Sequence, residues 1–386
     1  MKRNFNLDLL RSFAFLMIFV FHFNLMLEAD HIDTTIPLFV RAESWTLGSL
    51  GVGIFLMLSG YVLKNSFERS GEKISTFYKK RLSAIFPLFY ASYFVVYLWI
   101  DLPAGNILSK YHFWSLLGFD GFMSMRGFNT CYRIGEWYLG VILIYYFLFP
   151  FLYKAVKKAP LLFGLSLMVI HFLFVYNYET LASVISDIFK HPLLPEELSA
   201  SALVLLPQFV VGIYFAFYVK KCHPALLLGA AFVIGALSFY DFPASLLPEG
   251  TFKGSWIYGN LISVVAVFMI FAYTFNKKKQ EESKAARIPI LSGIVGTISK
   301  YSFTMFLVHH ILQDRLFTNL SVRGCIRPCL SIPLYFFYFF FALILTFLLS
   351  CLIQNGTETI MKNLRNRFSK KDPKDPTGNA QTSINT

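Results

Sequence analysis

The sequence predicts an all-α polytopic transmembrane bundle of about ten spans, with both termini in the cytoplasm, and three observations predict it. Hydrophobic residues make up 56% of the 386-residue chain and charged residues only 15%, where a soluble globular protein carries about 25% charged. The mean hydropathy is +0.55. Apolar runs recur at the ~20 residues an α-helix needs to cross about 30 Å of hydrocarbon, far longer than barrel strands. The same composition excludes a disordered chain and a small disulfide scaffold.

Ten apolar segments carry this reading, at 7–27, 47–66, 82–100, 133–153, 161–177, 201–219, 225–241, 256–275, 293–316 and 331–353. The first follows Lys2 and Arg3 and shows no small-residue cleavage site, so it is expected to stay as a span. Basic residues orient the set. With the N-terminus inside, most of the 35 Lys and Arg fall in inner segments: the 64–81 loop, Lys154 to Lys158, Lys220 and Lys221, the 277–287 run and the tail. This bias persists loop after loop, and an even number of spans returns the C-terminus to the cytoplasm. The net charge of +13 therefore reads as topology and contact with anionic membrane lipid, not as nucleic-acid binding. Residues 1–361 form one transmembrane domain, and 362–386 read as a polar, disordered tail. The longest outer loops, 102–132 and 178–200, are rich in Tyr, Trp and Phe, which suits an interfacial belt or a sugar-contacting rim.

Ionisable groups inside spans are costly and point to function. Asp8 and Arg11 are three residues apart and can share the cost of insertion. Arg11 is then either a fixed cation or a side chain snorkelling to the inner surface. His22 follows eleven residues later, which returns it to within about 20° of the Arg11 face and about 16 Å further along. It reads as a packed core histidine or as an imidazole poised above a cation. In the ninth segment His309 and His310 lie at a similar depth, and their 100° offset predicts that at most one faces the same cavity. Glu136 opens the fourth segment, either orienting His22 or lying at the interface. His171 reads as a satisfied core histidine. The five cysteines have no zinc or haem spacing, and no metal is expected.

Several segments, in order, resemble the acyltransferase 3 family of membrane enzymes that acylate cell-surface carbohydrates. Leu7-Asp8-Leu9-Leu10-Arg11 continuing to Phe21-His22-Phe23 is similar to the first-helix pattern. Phe55-Leu56-Met57-Leu58-Ser59-Gly60-Tyr61 is similar to the second. Phe77-Tyr78-Lys79-Lys80-Arg81-Leu82 to Pro87 resembles the basic run into the third, and Trp137-Tyr138-Leu139 to Tyr145 and Pro150 the fourth. Phe209 to Gly212 and Ser302 to His309 complete the set, which spans roughly 7–353. Two positions depart from the pattern: Ala84 stands where a second Arg is common, and Ile142 where many members carry Glu. The match is to the branch without an added soluble domain.

The resemblance implies O- or N-acylation of an envelope polysaccharide or other exported carbohydrate, in a multi-pass protein of the cytoplasmic membrane. The co-substrate is a cytoplasmic acyl-CoA, acetyl-CoA in the simplest case, and no resident cofactor is implied. Arg11, Lys64, Lys80, Arg81, Ser59 and Tyr61 are the donor-binding candidates, and the catalytic candidates are His22, Glu136 and His309. His22 acts as general base, and Tyr61, Tyr138 or His309 stabilises the oxyanion. A transient acyl-histidine is an open alternative. The competing reading is a transporter or flippase for a polysaccharide or lipid-linked sugar, which predicts broken helices along a wide polar path.

Overall fold

A computed structural model describes residues 5–29, 45–103, 110–131, 136–195, 200–218, 289–322 and 329–369, with a few shorter stretches between them. The expected span at 256–275, and that at 225–241 apart from residues 225, 226 and 229, lie outside the described residues. The architecture is helical: α1 Phe5–Ala29, α2 Leu47–Arg69, α3 Ile74–Val96, α4 His112–Leu117, α5 Asp120–Ser124, α6 Glu136–Lys158, α7 Pro160–Tyr176, α8 Tyr178–Phe189, α9 Ala202–Tyr218, α10 Pro289–Val322 and α11 Ile332–Ser369. Extended structure among the described residues is limited to dipeptides. β1 (Asp33–Thr34) pairs in parallel with β4 (Cys329–Leu330), and β2 (Arg41–Ala42) pairs antiparallel with β3 (Trp45–Thr46). Six helices are long and apolar enough to cross a membrane, or seven when the bent pair α7–α8 is taken as one span.

Several elements depart from the expected boundaries for local reasons. α3 begins at Ile74, eight residues before the expected 82, because the basic run Lys79 to Arg81 lies on helix rather than in a loop. At its C-terminal end α3 loosens into a π-helical turn, Tyr97–Asp101. α7 ends at Tyr176, and the chain turns by 74° into α8, so part of the expected 178–200 loop is helical. α11 runs to Ser369, eight residues into the stretch expected to be disordered tail. α2 starts from a capping box in which Thr46 and Ser49 satisfy each other's backbone N–H groups.

The core is built around α2, which packs on α9 and α1; α1 packs in turn on α10, and α10 on α11. Small residues set the closest approaches, as expected where lipid supplies no hydrophobic drive. A Cβ at Gly60 would meet the carbonyl of Phe209, and one at Gly212 would meet the carbonyl of Met57. Gly51 packs against the Ala14 carbonyl and Ile18 of α1. α1 and α10 run parallel: Asp8 touches Ser299, Phe15 and His22 approach His309, and Phe23 packs on Phe317.

The 102–132 loop was expected to form an interfacial belt or a sugar-contacting rim, and part of it packs against α3 and α6. Gly118, at φ +76°, closes α4 and sits against Leu143 and Leu139 of α6. Phe119 and Phe122 lie over Gly140. The Tyr90 hydroxyl donates to the Leu116 carbonyl at 2.9 Å. The segment buries His112, Ser115, Asp120 and Arg126, next to Asp101 from the end of α3.

Candidate active site

The N-terminal part of α1 places its ionic residues against α10. The Ser299 hydroxyl donates to Asp8 Oδ1 at 2.6 Å, and Arg11 Nη1 lies 3.7 Å from the same oxygen. Asp8 is buried, whereas the Arg11 side chain keeps 34% of its surface. The expected i, i+3 pairing is therefore formed, and it leaves Arg11 accessible. Ser12 adds a hydrogen bond to the Val295 carbonyl at 3.0 Å.

Tyr146 of α6 has its hydroxyl beside Ser59 of α2 and feels the charges of Arg81 and Arg11. Arg81 Nη2 donates to Ser66 Oγ at 3.1 Å, while its Nε is buried and has no hydrogen-bond partner among the described residues. A guanidinium N–H left unmatched in a protein interior is expensive, and an anionic ligand would satisfy it.

The remaining donor candidates separate. Lys64 is buried with its Nζ 2.8 Å from Glu68 Oε2 and 4.3 Å over the ring of Phe217, so its charge is already engaged. Lys80 is exposed. Tyr61 is half-buried on α2, and its carbonyl accepts from the Asn65 amide at 3.1 Å.

At the other end of α1, His22 stands among imidazoles. Its ring centroid is 5.1 Å from that of His309 and 5.1 Å from that of His310. Both histidines of the pair therefore face His22, where the 100° offset predicted only one; His22 packs between them. Nδ1 of His22 is sealed and has no hydrogen-bond partner among the described residues, while the residue as a whole keeps some accessible surface. His309 is fully buried, packed by Phe15, Phe19 and Phe306. Its Nδ1 lies 2.8 Å from the Phe306 carbonyl. A carbonyl oxygen has no proton to give, so Nδ1 is the donor, and the neutral ring carries its lone pair on Nε2. That tautomer has no N–H left for an oxyanion, which removes neutral His309 from that role. Among the described residues no group of His, Cys, Asp and Glu has the geometry to hold a metal ion.

Tyr138 is buried beside this cluster, its ring 5.3 Å from Phe306 and 6.4 Å from Phe55, and its hydroxyl interacts with Ser59. Glu136 is the first residue of α6, and its side chain lies outside the described positions. His171 is buried on α7. Sequence reasoning passed over Tyr146; the available signal was the Tyr145-Tyr146 pair of hydroxyls in mid-span. It also passed over Asp101, His112 and Asp120, which lie at or beyond the end of the third expected span.

A helical bundle that carries Arg11 and His22 on one helix, with His309 and His310 of a second helix against His22, has the parts for group transfer. A family model described as an acyltransferase domain, acyltransferase 3, matches residues 4–354. The chain belongs to that family. It is 30% identical over 167 residues to acyltransferase MdmB of Streptomyces mycarofaciens, an alignment covering 39% of this chain and 39% of that protein. No solved structure matches the chain.

Proposed function

We propose that this protein moves an acyl group, acetyl in the simplest case, from a cytoplasmic acyl-CoA to a hydroxyl of a cell-surface or exported carbohydrate. The observation that carries the reading is the arrangement along α1, where accessible Arg11 and the His22 imidazole cluster lie eleven residues apart on one unbroken helix. The rise between them, about 16 Å, suits the slender arm of a coenzyme A thioester. Arg11 and Arg81 hold the donor phosphates at the inner mouth, with Tyr146 and Ser59 beside them. The ten-span topology with both termini in the cytoplasm, and residence in the cytoplasmic membrane, belong to the same reading. So does an acyl-CoA that acts as co-substrate and not as a resident cofactor.

In the reaction His22 takes the proton of the acceptor hydroxyl as its oxygen attacks the thioester carbonyl. The tetrahedral oxyanion receives a hydrogen bond from Tyr138, whose hydroxyl is steadied by Ser59. Collapse expels the coenzyme A thiolate, which recovers the proton from the His22 imidazolium. The bend between α7 and α8 is a feature that a transporter also predicts, but family membership favours the enzyme.

The test is transfer of radiolabelled acetyl from acetyl-CoA in membranes, with mass spectrometry of surface glycans from cells with and without the gene. Acetyl-bearing glycan only where the protein is present supports the reading; transport of sugar with no transfer of label defeats it.

A further inference from the structure

α7 and α8 are joined at Asn177 by a turn of 74°, and the two helices differ in kind. α7 carries no Asp, Glu, Lys or Arg, and it lies between Lys157 and Lys158 on one side and Glu179 on the other. Its 17 residues rise about 25 Å, which brings the chain near the ~30 Å of the hydrocarbon core. Leu161, Leu162, Val169 and Ile170 are exposed along it, as the lipid-facing residues of a spanning helix are. Asn177 therefore sits at the polar edge of the bilayer. A spanning helix tilts about 20° from the bilayer normal, so a turn of 74° lays α8 closer to the membrane plane than to the normal.

The sequence of α8 divides its surface into three sectors around the axis. At about 100° per residue, Tyr178, Leu181, Ala182 and Ile185 point in one general direction, and they are buried or half-buried. The Tyr178 hydroxyl donates to the Pro195 carbonyl at 2.5 Å, and its ring meets Phe174 edge-on at 5.5 Å. On one flank of that sector Val184 and Ile188, one turn apart, are 48% and 67% exposed. On the other flank and the back lie Glu179, Ser183, Asp187 and Thr180, all exposed. Phe189, the last residue, is exposed at the helix end, and Lys190 stops the helix in the left-handed region at φ 53°.

A packed side, an exposed apolar side and an exposed polar side on one short helix fit a single setting, the corner where protein, acyl chains and water meet. We infer that α8 is an interfacial helix whose partner is the bilayer itself, with Val184 and Ile188 among the acyl chains nearest the headgroups and Glu179, Ser183 and Asp187 in the headgroup layer. Its grip is apolar, since α8 contains no Lys or Arg to pair with anionic lipid. A helix dipping into the bilayer would carry Glu179 and Asp187 into hydrocarbon at high cost. α7 alone is then the span. The bend marks a change from crossing the membrane to lying on it, and not a broken helix along a transport path. This placement is independent of the transfer chemistry.

The experiment uses the full-length protein in phosphatidylcholine nanodiscs, where both membrane faces reach solvent. A phosphatidylcholine with a photoactivatable diazirine in its acyl chain labels the unaltered protein, and peptide mass spectrometry locates the adducts. Adducts are expected at Val184 and Ile188, with few at Ser183 and Asp187. Four single variants, Val184→Cys, Ile188→Cys, Ser183→Cys and Asp187→Cys, give the complement, read on the α8 peptide, which has no native cysteine. A charged maleimide should alkylate the two polar positions at least about 10-fold faster than the two apolar ones. High salt should leave that ratio unchanged, and denaturation should abolish it. Acyl adducts on both stripes overturn the inference in favour of a re-entrant helix. Equally fast alkylation at all four positions overturns it in favour of a helix standing in water. Slow alkylation at Ile188→Cys without acyl adducts at Ile188 shows that protein covers this face, and it overturns the inference as well.

Discussion

Gly60 of α2 and Gly212 of α9 lie back to back, each helix's main chain occupying the space a side chain would need on the other. The carbonyl of Phe209 stands over Gly60 and that of Met57 over Gly212. Neither neighbour is a flexible side-chain end that could move aside. Gly60→Ala and Gly212→Ala should each destabilise the bundle by about 1–3 kcal/mol through overpacking, and the double variant should not be additive because both act on one crossing. Thermal unfolding in detergent measures this, and Gly229→Ala or Gly356→Ala, where an added Cβ meets nothing within 4 Å, serves as the control. Unchanged stability in both contact variants refutes the close crossing.

The two guanidinium groups around Tyr146 should read out as donor affinity. Arg81→Ala removes a buried donor with an unmatched Nε, and Arg11→Ala removes the accessible partner of Asp8. Charge-assisted hydrogen bonds contribute about 1.5–3 kcal/mol, so each variant should raise the Kd for acetyl-CoA about 10- to 100-fold. Lys80→Ala, exposed, and Lys64→Ala, already engaged by Glu68, should change it much less. Isothermal titration on purified protein decides the order. A normal Kd in Arg11→Ala returns that residue to the snorkelling role.

How much of this was legible in the sequence follows from which forces act locally. The Asp8–Arg11 pairing and the shared depth of His22 and His309 depend on helix period and rise, which are fixed by backbone geometry, and both appear in the structure. The facing of His310 was missed because the 100° rule treats the partner as a point. His22 is a side chain that enters between two neighbours. The packed outer segment was missed for a different reason. Its polar residues are buried by aromatic contacts with α3 and α6, contacts between residues distant in sequence that no hydropathy window contains. Lys64 and Arg81 look alike as basic residues of one loop. They part only because Glu68 lies one turn beyond Lys64 and the Arg81 Nε remains unmatched.

His22→Ala should reduce kcat by at least about 100-fold, the usual scale for loss of a general base, while acetyl-CoA still binds. The discriminating comparison is between turnover and donor affinity in the same preparation. A variant that binds donor normally and does not transfer places the loss at the chemical step. Retained turnover removes His22 from the mechanism, and loss of both would point to disturbed packing of α1 on α10.

The inner turn between α2 and α3 should give the fold a dependence on acid. Glu72, in the left-handed region at φ 59°, accepts from Lys157 Nζ at 2.6 Å and from the Tyr153 hydroxyl at 2.7 Å, so it ties this turn to α6. The hydrogen bond from Lys157, then that from Tyr153, holds its carboxyl below the ordinary value of 4.5. A carboxylate with a lowered folded-state pKa contributes stability that is fully present above its unfolded value. That stability is lost as pH falls through the folded one. The gap in melting temperature between wild type and Glu72→Gln should therefore be constant from neutral pH down to about 4.5 and close below it. The side chain is largely open to solvent, so the gap should be small and should shrink with added salt. A gap that persists unchanged into acid would show that Glu72 acts through its backbone conformation and not through its charge. Glu72→Gly, which relieves the positive φ but removes the carboxylate, separates the two contributions.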